Sequence, residues 1–112
     1  MDLWIELQKK MHELDVCLRE LRKNGSAWAQ AEHDYKVELY KQTMAMKEKG
    51  IAATIIGIVC RGVPKVAKLR FERDMALVTY KANMEAINIR KLQCRLIDNQ
   101  IGREYSNPDA VM

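Results

Sequence analysis

Three kinds of residue in this sequence are chemically equipped: imidazoles beside carboxylates, thiols, and basic side chains in a row. His12 and Glu13 are followed by Asp15, and Glu32, His33 and Asp34 are consecutive. Neither cluster has the HExxH spacing that puts two imidazoles on one helical face with a general base between them. Adjacent helical residues point about 100° apart and cannot converge on one ion. Both clusters read as solvated helix surface, and the sequence implies no metal and no cofactor. Acid–base catalysis by the same groups requires a concave pocket, which a thin helical bundle seldom makes.

The cysteines Cys17, Cys60 and Cys94 are odd in number, widely spaced, and contain no C-x₂-C pair. They read as thiols in a reducing compartment, not as a disulfide framework. A nucleophilic thiol needs a base beside it. Cys60 lies in an apolar run and the other two lie in helical patterns, so all three read as small hydrophobes. No glycine-rich loop follows a strand and GxxxxGK is absent, which removes the usual phosphate cradle. The chain is therefore expected not to be an enzyme.

The basic residues are unevenly placed. Residues 1–60 hold 9 Lys/Arg and 9 Asp/Glu, whereas residues 61–112 hold 10 and 6, so the whole +4 lies in the second half. Arg70, Lys81 and Arg95 fall on one strip of a helix, with Lys65, Lys68 and Arg73 near its start. Such a strip is a candidate contact for a phosphate backbone or another acidic partner. Residues 52–70 also fit a helix-turn-helix loosely, but the second helix is far longer than a recognition helix needs to be. With one Phe and two Trp, both Trp on seam positions, stacking on single strands has little support.

The elements that must position these residues are all helical. Trp4, Leu7, Met11, Leu14, Leu18 and Leu21 are spaced 3-4-3-4-3, which predicts a helix over 2–23 lying along another helix. Asn24-Gly25-Ser26 supplies a C′ glycine and an N-cap serine, so a bend is expected there, with a continuous kinked helix as the alternative. A second helix is predicted over 27–49, closed by Gly50 with Lys47 and Lys49 at the negative end of its dipole. Residues 53–60 read as a short buried helix that Thr54 can cap. Pro64 suits the first position of a helix running to about residue 105, and 106–112 is expected to fray. The predicted fold is all-α: one domain over 1–112, an elongated helical hairpin or bundle with coiled-coil-like packing.

The last helix carries two apolar faces. Tyr80, Met84 and Ile87, with Val66, Leu69, Leu77, Cys94, Ile101 and Tyr105, form the side expected to seal against the N-terminal helices. Phe71, Met75, Val78, Ala82, Ile89, Leu92 and Leu96 cluster nearly opposite. A helix apolar on two sides is sandwiched. The simplest second cover is another copy, so a homo-oligomer, dimer or higher, is predicted. The alternative is that the chain folds back and hides both faces itself.

No apolar run approaches the roughly 18–20 residues that span a bilayer. The start, Met-Asp-Leu-Trp, lacks a basic segment followed by an apolar core, so a cytoplasmic protein that does not enter the membrane is expected.

Taken together, Leu21-Arg-Lys-Asn-Gly, Ala31-Glu-His-Asp-Tyr35-Lys, Lys49-Gly50 with Thr54-Ile-Ile, Arg61-Gly62, Val66-Ala67-Lys68-Leu69-Arg70, Tyr80-Lys-Ala and Glu85-Ala-Ile-Asn-Ile-Arg-Lys91 form a pattern. It resembles small all-helical proteins encoded in early regions of phages and prophages of Gram-positive bacteria. The match covers roughly residues 5–105 and is one of pattern and length, not of a catalytic motif. That group's pattern favours an acidic residue before the last helix, where this chain has Val63. The resemblance implies an early gene acting near replication, recombination and host takeover, inside the bacterial host cell. The expectation is a phage accessory protein that oligomerises and binds or occludes a host defence or DNA-processing protein. The alternative is a DNA-binding accessory factor of replication or recombination that uses the basic second half. A virion structural component ranks third.

Overall fold

The computed structural model describes residues 2–106, and they form three helices. These are α1 (Leu3–Glu48), α2 (Ala53–Arg61) and α3 (Pro64–Ser106). The chain is all-α, with no strand among the described residues, and its C-terminal helix is long. The expected fray over 106–112 lies, beyond Ser106, outside the described residues.

Both ends of α1 and the start of α3 have a local cause. Asp2 caps α1: the Trp4 N–H donates to its Oδ1 at 2.9 Å, answering one of the orphan donors of the first turn. At the other end Gly50 adopts φ +75°, its N–H donates to the Lys47 carbonyl and the Ile51 N–H to the Met46 carbonyl. That pair of bonds is a Schellman motif, and it closes α1 where the glycine predicts. Pro64 opens α3, also as predicted. For α2 the outcome differs: Ala52 occupies the N-cap position and no side chain caps it, so Thr54 does not serve there.

The bend expected at Asn24-Gly25-Ser26 is absent. α1 runs unbroken from Leu3 to Glu48, so the separate helices 2–23 and 27–49 are one. Gly25 answers to packing instead. A Cβ built on it would lie 3.2 Å from Cε1 of Tyr80, so the ring would have to give by a few tenths of an ångström to admit a side chain there.

The chain packs as two units, Met1–Arg22 with Lys81–Met112, and Lys23–Tyr80. In the first, the start of α1 runs antiparallel to the second half of α3. Leu7 and Ile87 are buried there, and the Asn83 amide donates to the Cys17 carbonyl at 3.0 Å. In the second, Tyr35 on α1, Ile56 and Cys60 on α2, and Val66 on α3 are buried, Cys60 and Val66 completely. α2 is buried on one side only, since Ile55, Ile58 and Val59 are exposed.

The packed stripe of α1 is offset from the one expected. Leu7, Leu14 and Leu21 do turn inward, but Trp4, Met11 and Leu18 are exposed, at 58%, 55% and 44%. Their places are taken by Leu3, Lys10 and Cys17, one residue earlier, all half-buried. The substitution is tolerated because the polar member finds partners: Lys10 lies 3.3 Å from Glu13, which lies 3.1 Å from Arg90 of α3. On α3, Tyr80 is half-buried and Ile87 buried as expected, whereas Met84 is 37% exposed and Tyr105 is exposed.

Candidate functional site

Among the described residues, the side chains with catalytic potential are not gathered in one place. Among the described residues no group of three or more His, Cys, Asp and Glu side chains is placed to hold a metal ion. His33 Nδ1 sits 3.4 Å from its neighbour Asp34 at the surface, and His12 is exposed. Cys60 is fully buried, with Thr43 Oγ1 at 3.8 Å, and that hydroxyl donates to the Leu39 carbonyl at 2.7 Å. Cys17 and Cys94 are free thiols and half-buried.

Two shallow grooves of the first unit lie between α1 and α3. One is lined by Leu7, Met11, Leu14, Cys94, Arg95 and Asp98, and another by Asp2, Leu3, Trp4, Ile101, Glu104 and Tyr105. Neither groove brings an acid and a base into a closed space.

The basic residues separate into two sets. Lys65 Nζ lies 3.4 Å from Oε2 of Glu38, and the Arg73 guanidinium sits 4.5 Å above the Tyr35 ring while its Nη2 reaches Asp74 at 2.8 Å. These two positions are used inside the second unit. Lys68, Arg70, Lys81 and Arg95 are exposed and make no ion pair among the described residues.

Glu38 is a site residue that apolar periodicity does not reveal. It is buried, its Oε1 accepts from Nε2 of Gln42 at 3.0 Å, and Lys65 approaches the other oxygen. The Gln42 hydrogen bond, then Lys65 and the more distant Lys41, hold its carboxyl below the ordinary glutamate value despite the opposing effect of burial. Elsewhere in the same unit, Trp28 and Tyr80 stack with centroids 5.9 Å apart and planes 13° from parallel.

The surface that stands out is the outer face of α3. Phe71, Met75, Val78, Ile89, Leu92 and Leu96 are between 49% and 65% exposed, and Ala82 between them is exposed too. Every residue of the second apolar stripe is thus uncovered within this chain. Glu85 occupies the one remaining position, so that 71, 75, 78, 82, 85, 89, 92 and 96 follow an unbroken 4-3 alternation. Large apolar residues scattered singly on a surface are ordinary, but a contiguous row at coiled-coil spacing marks an interaction face.

Comparison with known protein families, characterised proteins and solved structures returns no match. None of the helices is long and apolar enough, over the described residues, to cross a membrane.

Proposed function

We propose that this chain is a non-enzymatic accessory protein of a phage or prophage. It self-associates through the outer face of α3 and works by binding or occluding a host macromolecule, a defence or DNA-processing protein, in the cytoplasm. One observation carries the reading: six large apolar side chains at heptad spacing stand in water along α3. Each such side chain gains about 1.5–3 kcal/mol on full burial, so a face of this kind favours association strongly. The sequence resemblance to early-region phage proteins supplies the setting.

The test is affinity capture from lysate of a Gram-positive host, with nuclease added or omitted. The reading expects a host protein that remains bound after nuclease treatment and is lost when Leu92→Arg removes the apolar face. Recovery of nucleic acid alone would overturn it.

A second reading is favoured by the charge distribution. Residues 61–112 hold 10 Lys/Arg and 6 Asp/Glu, so the second half accounts for the whole +4. Under that reading the chain is a DNA-binding accessory factor with Lys68, Arg70, Lys81 and Arg95 on phosphates. Affinity for duplex DNA would then fall steeply between about 50 and 200 mM salt and disappear with Arg70→Glu plus Arg95→Glu. No binding at the lowest salt would remove it.

A further inference from the structure

We infer that the outer face of α3 is covered by the same face of a second copy running antiparallel, in a single register centred between Asn83 and Met84. This rests on the self-association proposed above and adds its orientation. In a two-stranded antiparallel coiled coil, each a position faces a d position of the other helix. On α3 the alternation makes Met75, Ala82, Ile89 and Leu96 the a positions and Phe71, Val78, Glu85 and Leu92 the d positions.

Only one antiparallel register matches every large apolar residue with another. It sets Phe71 opposite Leu96 of the second copy, Met75 opposite Leu92 and Val78 opposite Ile89, and leaves Ala82 opposite Glu85. Sliding one heptad either way puts Leu92 and Leu96 against Lys68 and Pro64, or Phe71 and Met75 against Arg103 and Asn99.

Charge decides between this arrangement and the parallel one. A parallel pair in register would seat Glu85 directly on its own copy in the middle of the seam, two like charges at a desolvated position. The antiparallel pair gives each Glu85 the small Ala82 as its neighbour, which leaves room for the carboxylate to reach solvent. The flanking positions agree. Asp74 and Arg95 precede the a positions Met75 and Leu96, and the antiparallel register brings Asp74 of each copy beside Arg95 of the other. Both side chains are exposed, and although Asp74 Oδ1 already meets Arg73 at 2.8 Å, a carboxylate accepts further donors. In the parallel pair Asp74 faces Thr79, and Arg95 faces Gln100.

The experiment is disulfide trapping in a chain whose Cys17, Cys60 and Cys94 are replaced by Ala, with helicity and mass matched to the unsubstituted protein. Val78→Cys mixed with Ile89→Cys should give a covalent dimer, whereas neither variant alone should. In the antiparallel register the two copies of position 78 lie eleven residues apart along the axis, roughly 16 Å at 1.5 Å per residue. A disulfide needs Cα atoms within about 7 Å. Self-linking of Val78→Cys alone would overturn the orientation while leaving self-association standing. A stable dimer that links in neither format would overturn the α3 face, and a monomer at micromolar concentration would remove the reading beneath both.

A charge exchange on the native cysteine background gives a second check. Arg95→Asp should weaken the dimer at least tenfold, and adding Asp74→Arg should restore it to within about threefold. Failure of the double variant to recover would contradict the antiparallel register.

Discussion

Glu38 shows how a single buried carboxylate can couple this fold to pH. Its carboxyl is held below the ordinary value of 4.5, first by the Gln42 hydrogen bond and then by Lys65. A group whose pKa is lowered on folding adds stability at pH values above its unfolded pKa and loses it as pH falls through the folded one. Thermal unfolding should therefore be steady from pH 7 down to about pH 5 and then decline toward pH 3, and Glu38→Gln should flatten part of that decline. An unchanged acid limb in Glu38→Gln would contradict this role. Gly25 is constrained by its packing against Tyr80. Alanine at a helix interior is favoured over glycine by about 1 kcal/mol, but here its Cβ would press on Tyr80 at 3.2 Å. Gly25→Ala should gain close to that amount in a Tyr80→Ala chain and clearly less with Tyr80 present, as read by chemical denaturation. Equal gains in both backgrounds would show that Tyr80 does not constrain position 25.

At the scale of the elements, what is legible in the sequence depends on whether the determining chemistry is local. The close of α1 and the start of α3 follow from Gly50 and Pro64, residues whose backbone chemistry is local, whereas the Asp2 cap of α1 is seen only in the structure. Gly50→Ala should cost about 1 kcal/mol or more, because a Cβ opposes the left-handed conformation at φ +75°. Denaturation midpoints compared with Gly57→Ala, where nothing lies within 4 Å and φ is not positive, would test it. The seam of α1 was only half legible. Apolar spacing finds Leu7, Leu14 and Leu21 but prefers Trp4, Met11 and Leu18 to Leu3, Lys10 and Cys17. Nothing in α1 itself announces that Lys10 can turn inward, since the group that completes its network, Arg90, lies 80 residues away on α3. Gly25 misleads for the same reason: its neighbour Tyr80 is remote in sequence, so a packing glycine looks like a helix stop.

At the scale of the whole molecule the decisive fact is how little apolar surface the chain hides by itself. Leu7, Tyr35, Ile56, Cys60, Val66 and Ile87 are the buried hydrophobic residues among those described, although 48% of the sequence is hydrophobic. The outer row of α3 is a continuous part of what remains in water, and this much was legible from spacing alone, because exposure of a face opposite the packed seam requires no knowledge of partners. What lies across that row is not encoded in spacing, which is why the occupant has to be argued from Glu85, Asp74 and Arg95. Leu92→Arg should abolish association while retaining most of the helical circular dichroism, as the side chain contributes nothing to the buried core. Self-association is tested most directly by the mass of the unsubstituted protein, measured by sedimentation equilibrium at micromolar concentration. Twice the 13.0 kDa of one chain is the predicted result. A single 13.0 kDa species, unchanged as concentration rises, would contradict it.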